Sequence, residues 1–158
     1  MRMALRAGAC IASLTFVACA AHGAASVPSF GEFHEPFVKM KSGARPKLIS
    51  NHDREFKTRI AEASGQGVNF TGHYVLSLIG CGASCVMSFA LDKKSGEISW
   101  LPFTVCCWDS VEIGAKPIAF MKDSRLVVIN GSRNEQGKGI YYYEFKKSQF
   151  VLIQEAER

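Results

Sequence analysis

The sequence predicts an α+β fold that is mainly β: a meandering antiparallel sheet, curved or closed into a small barrel or sandwich, with one N-terminal helix packed on it. Three observations predict it. Seven short runs rich in Val, Ile, Leu, Phe and Tyr, each bounded by turn residues, follow one another across 74–153. Only one stretch, 51–64, has apolar residues at helical spacing. At 158 residues, with 47% hydrophobic and 21% charged residues, the chain has the size and composition of one domain with a real core.

The first 25 residues read as a secretory signal. Arg2 and Arg6 supply the basic start, residues 7–21 form an apolar run too short for a membrane span, and small residues follow, with cleavage placed at 23–25. A second reading takes Phe16-Val17-Ala18-Cys19 as a lipobox, with Cys19 carrying lipid and contact with a membrane following only in that case. Residues 26–48 hold Pro28, Pro36 and Pro46 and read as an irregular arm, with Phe30, Phe33 and Phe37 laid against the core. Residues 49–158 form the β-rich domain. Its helix, 51–64, has Ser50 or Asn51 as N-cap, Asp53 in the first turn, and Phe56, Ile60 and Ala63 as its apolar stripe. Gly65 and Gly67 end it.

The expected strands are 74–79, 86–91, 98–103, 118–121, 126–129, 140–145 and 150–153. Lys94-Ser95-Gly96, Asp123-Ser124, Asn130-Gly131 and Lys147-Ser148 supply the turns.

The first two strands flank Gly80-Cys81-Gly82-Ala83-Ser84-Cys85. With Gly82-Ala83-Ser84 as the loop, Cys81 faces Cys85 at a Cα separation of ~4.5 Å, inside the disulfide range. That bond closes a short loop and contributes roughly 2 kcal/mol. A turn at Lys94-Ser95 pairs Leu91 with Ile98 and Cys85 with Thr104. Cys81, Cys85 and Cys106 then share one face, and strand alternation sends Cys107 to the other. Neighbouring Cα atoms lie ~3.8 Å apart, so Cys106–Cys107 is the least favoured bond. A Cys85–Cys106 bridge, reached by a two-residue offset, is the second choice, with Cys106 and Cys107 the second-choice thiols.

Four readings of this cluster stand open: a structural disulfide, placed first; buried unbonded thiols; a redox pair; and a metal site. The C-x-x-x-C spacing lies between strands rather than as C-x-x-C at a helix N-terminus, and it differs from a zinc knuckle, with His73 the only nearby histidine. No metal and no cofactor is assigned. His73 is a candidate base or ligand, against the commoner role of bonding its neighbours. Tyr141 and Tyr143 share a strand face and form either a binding platform or a cross-strand ladder. No G-x-S-x-G elbow or Gly-rich phosphate loop is present.

Asn69-Phe70-x-Gly72-x-Tyr74, Gly80-Cys81-Gly82-x-x-Cys85, Asp123-Ser124-Arg125-Leu126-Val127, Tyr141–Tyr143 and Phe150-x-Leu152 together resemble a group of small exported bacterial proteins of unknown function. The resemblance spans roughly 56–153 and implies Cys81 and Cys85 as its shared feature; it implies no activity. The 19 basic residues against 14 acidic ones become 17 against 14, or +3, once Arg2 and Arg6 are removed, which gives no case for nucleic acid. The expected function is an exported, non-enzymatic binding or scaffold module of the bacterial envelope, periplasmic or secreted, whose partner is a protein or envelope component. The alternative is a periplasmic thiol-based redox protein using Cys81, Cys85 and Cys106.

Overall fold

The computed structural model describes residues 26–40, 42–108 and 116–157. The expected signal, its expected cleavage site and Cys19 lie outside the described residues. Among the described residues the architecture is an eight-stranded antiparallel sheet with few helical residues, as the sequence predicts.

The expected helix is two: α1, Asn51–Glu55, and α2, Lys57–Ser64. Ser50 and Asp53 form a reciprocal cap. The Ser50 hydroxyl accepts from the Asp53 N–H at 3.0 Å, and the Asp53 carboxylate accepts from the Ser50 N–H at 2.7 Å. The break falls at Phe56, with φ −97° and ψ 20°. There the ring packs against both His52 and Trp100, at centroid distances of 4.9 and 5.6 Å, and this tertiary contact overrides the helical pattern.

The strands are β1 (Tyr74–Gly82), β2 (Cys85–Asp92), β3 (Ile98–Trp100), β4 (Val105–Cys106), β5 (Ile118–Phe120), β6 (Leu126–Arg133), β7 (Gln136–Lys146) and β8 (Gln149–Glu157). Their order is β1-β2-β4-β6-β7-β8, with β3 also on β2 and β5 also on β6. One sheet face gathers Leu76, Val105, Ile129, Tyr141 and Phe145 with Phe70. The other face of β1 and β2 buries Val75, Ile79, Phe89 and Leu91 against Ile60 and Ala63 of α2. Covered on both faces, β2 reads as an apolar run rather than an alternation.

The structure corrects four expected connections. The first hairpin turns on two residues, Ala83-Ser84, not three: Gly82 pairs with Cys85, and Cys81 sits in a bulge. β3 stops at Trp100, before Pro102, which has no N–H for a ladder. The chain rejoins β2 as β4, so Cys85 pairs with Cys106 rather than Thr104. Asn130-Gly131 lies inside β6, and the turn to β7 comes at Asn134-Glu135, both with positive φ. Gly131 is required inside the strand because a Cβ there would overlap the Cys106 carbonyl oxygen.

The arm is tied down through its backbone. The Ala44 N–H donates to the Lys93 carbonyl and the Lys47 N–H to the Gly96 carbonyl, each at 2.8 Å. Gly96, at φ +79°, lets the Arg45 backbone pass. Further back, the Ser124 hydroxyl donates to the Phe30 carbonyl at 2.8 Å, and Arg125 pairs with Glu35 at 2.9 Å. Phe30 and Phe33 are half-buried, but Phe37 is exposed, with Lys122 Nζ 4.5 Å from its ring centre. Lys93 is itself buried and donates to the Ser64 and Gln66 carbonyls, at 2.6 and 2.9 Å, just where α2 ends.

Candidate functional site: the cysteine end of the sheet

β1, β2, β4 and β6 bring all four cysteines of the domain to one end of the sheet. Cys81 and Cys85 are placed at disulfide distance, with Cα atoms 5.1 Å apart across the hairpin. Cys106 lies opposite Cys85 in the β2–β4 ladder and opposite Ser132 in the β4–β6 ladder. Cys107 departs from strand alternation. Its φ of 56° turns the chain back, and its Sγ lies 2.7 Å from Cys106 Sγ instead of on the far face. Cys81 and Cys107 are exposed, Cys85 is half-buried and Cys106 is buried. The hydrogen bond with Cys107, and then burial, push the Cys106 thiol up, against a smaller opposing pull from the Glu135 backbone N–H.

The β6–β7 turn sits beside this cluster. The Asn134 side chain accepts from the Thr104 N–H, and the Thr104 carbonyl accepts from the Asn134 N–H, both at 2.9 Å. Together the two segments bound a cleft of about 470 Å³, lined by Pro102, Phe103, Arg133, Asn134, Gln136 and Gly137. Arg133 lies with its guanidinium carbon 3.8 Å from the Tyr141 ring centre. It donates to the Tyr143 hydroxyl at 3.0 Å and pairs with Glu155 at 3.2 Å. Burial works against its charge, but the Tyr143 bond and the nearby Tyr143, Tyr141 and Glu155 groups hold it firmly protonated. Tyr141 and Tyr143 are 0% and 4% exposed, so they back the cleft through Arg133 rather than display their rings. The Tyr141 hydroxyl is buried and has no hydrogen-bond partner among the described residues.

His73 stands at the opposite end of β1. Its Nε2 lies 3.2 Å from Asp92 Oδ1, a partner the sequence does not name. Asp92 also accepts from the Lys94 N–H at 2.7 Å and the Ser95 hydroxyl at 2.9 Å, so the pair braces the β2–β3 turn. Burial opposes the Asp92 charge, yet those bonds and His73 leave its carboxyl below the usual range. His73 lines a smaller cleft of about 250 Å³ with Glu35, Arg125 and Lys146. Among the described residues, no group of three or more His, Cys, Asp or Glu side chains is placed to hold a metal ion.

Compared with family models, curated proteins and solved structures, the chain matches none. The residue that sequence reasoning missed is Arg133. Nothing local marks it, because its place over the Tyr141 ring is set by the pairing of β6 with β7.

Proposed function

We propose that this chain is an exported binding module of the bacterial envelope, and that it holds its partner at the cleft beside the β6–β7 turn. The observation that carries this reading is Arg133, a guanidinium stacked on Tyr141 and steadied by Tyr143 at the cleft wall. A preorganised guanidinium beside the Phe103 ring and the Asn134 and Gln136 amides suits a component that presents a carboxylate or phosphate on a partly apolar body. Glu155, half-exposed, is the counter-ion that such a group displaces. The hairpin disulfide and the two packed sheet faces give the site a rigid support. The test is co-sedimentation of the purified chain with isolated cell-wall sacculi and with anionic lipid vesicles. The expected result is retention by one of them that Arg133→Gln abolishes while the circular dichroism spectrum stays native. Equal retention of Arg133→Gln moves the site elsewhere, and no retention on either support rejects the reading.

A further inference from the structure

Four sulfurs stand in sequence at the end of the sheet: exposed Cys81, half-buried Cys85, buried Cys106 and exposed Cys107. We propose that they form an intramolecular thiol–disulfide exchange site, in which the bridge moves from Cys81–Cys85 to Cys85–Cys106. The inference is independent of the Arg133 cleft and rests on different residues.

The register supplies the geometry. Cys85 and Cys106 are directly opposed in an antiparallel ladder, so their side chains leave the sheet on the same face. Opposed Cα atoms in such a ladder lie ~4.5–5.5 Å apart, within the ~4.4–6.8 Å that a disulfide spans. Cys85 therefore has two partners within reach: Cys81 along the hairpin and Cys106 across the ladder. The strand register is the same for either bridge.

The step balances within the chain. Cys106 gives its thiol proton to solvent and, as thiolate, attacks Cys85 Sγ. The Cys85–Cys106 bond forms as the Cys81–Cys85 bond breaks. Cys81 leaves as thiolate and takes a proton from solvent. One disulfide replaces another, with no electron gained or lost. The products are a covalent tie between β2 and β4 and a free, exposed thiol at the hairpin tip. Cys106 is held in its thiol form by Cys107 and by burial, which slows the forward step near neutral pH.

Trypsin separates the two pairs, because Lys93 and Lys94 lie between Cys85 and Cys106. The two tryptic peptides stay joined only if a bridge crosses between the pairs. The purified chain is incubated in a glutathione redox buffer at mildly alkaline pH, acid-quenched, alkylated, digested and read by mass spectrometry. The joined peptides should form a minor species in the unsubstituted chain, become the major species in Cys81→Ser, and vanish in Cys106→Ala. Two outcomes overturn the proposal: a folded Cys81→Ser chain with Cys85 and Cys106 both alkylated, or joined peptides that persist in Cys106→Ala through Cys107. Should Cys81→Ser not fold, the unsubstituted chain decides, since joined peptides support the exchange and their absence overturns it.

Discussion

Trp100 donates through Nε1 to Asp53 Oδ1 across 2.9 Å, joining the helical segment to β3. Asp53 is buried, caps α1 through Ser50, and accepts a further bond from the Ile49 N–H at 3.0 Å. One carboxylate thus anchors the arm's end, the helix start and the sheet.

Burial alone raises the Asp53 pKa, but the bonds from Trp100, Ser50 and Ile49 outweigh it and leave the value lowered. Folding therefore favours the charged form. The resulting stability is present above the unfolded value of about 3.9 and is lost as pH falls through the lower folded value. Asp53→Asn should cost roughly 1.5–3 kcal/mol at neutral pH, the scale of hydrogen bonds to a charged group. Urea unfolding at pH 7 and pH 3 checks this: the gap between parent and variant should narrow in acid. A constant gap would show that the charge is not what matters.

Lys93→Met keeps the length of the side chain and removes its ammonium. The Ser64 and Gln66 carbonyls lose their donor at the end of α2, and the loss should be about 1–3 kcal/mol. Thermal melting measures it, and an unshifted midpoint would mean that water caps the helix equally well.

Tyr141→Phe should be neutral or stabilising, by up to roughly 1–3 kcal/mol, because it deletes a buried hydroxyl that has no partner among the described residues. Chemical denaturation gives the sign. A destabilised variant would reveal a bound water or another acceptor at that hydroxyl.

Ile60 is 1% exposed and is the main apolar anchor of α2, while Phe56 at the helix break is half-buried. Ile60→Ala should cost roughly 2–5 kcal/mol, and Phe56→Ala less than Ile60→Ala. The reverse order in matched melts would place the helical anchor at the Phe56–Trp100 contact instead.

The sequence-derived fold class survives because apolar runs and turn residues are local signals. Leu91 pairs with Ile98 as counted, since the Lys94-Ser95 turn sets that register without help. The count fails downstream. Pro102 interrupts the ladder, two extra residues are absorbed, and the two-residue β4 is too short to have a pattern. At Asn130-Gly131 the turn chemistry misleads, because that glycine answers to the Cys106 backbone from another strand. The cysteine pair in the hairpin is legible from spacing alone. The Cys106–Cys107 contact is not, since alternation assumes negative φ at every residue and Cys107 breaks that assumption.

The arm's attachments have a consequence for the order of assembly. Strand pairing in this sheet largely joins elements close in sequence, whereas Ser124 reaches Phe30 over 94 positions and Arg125 reaches Glu35 over 90. Contacts that close long loops bear their entropy cost before they return any stability. The turn between β5 and β6 must exist before residues 30–35 can dock on it, so this part of the arm, though it precedes the sheet in the chain, is expected to be seated after it. Native-state hydrogen exchange should accordingly show the Glu35 and Ala44 amides opening at lower free energy than those of β2 and β6, with arm and sheet separating as distinct cooperative units.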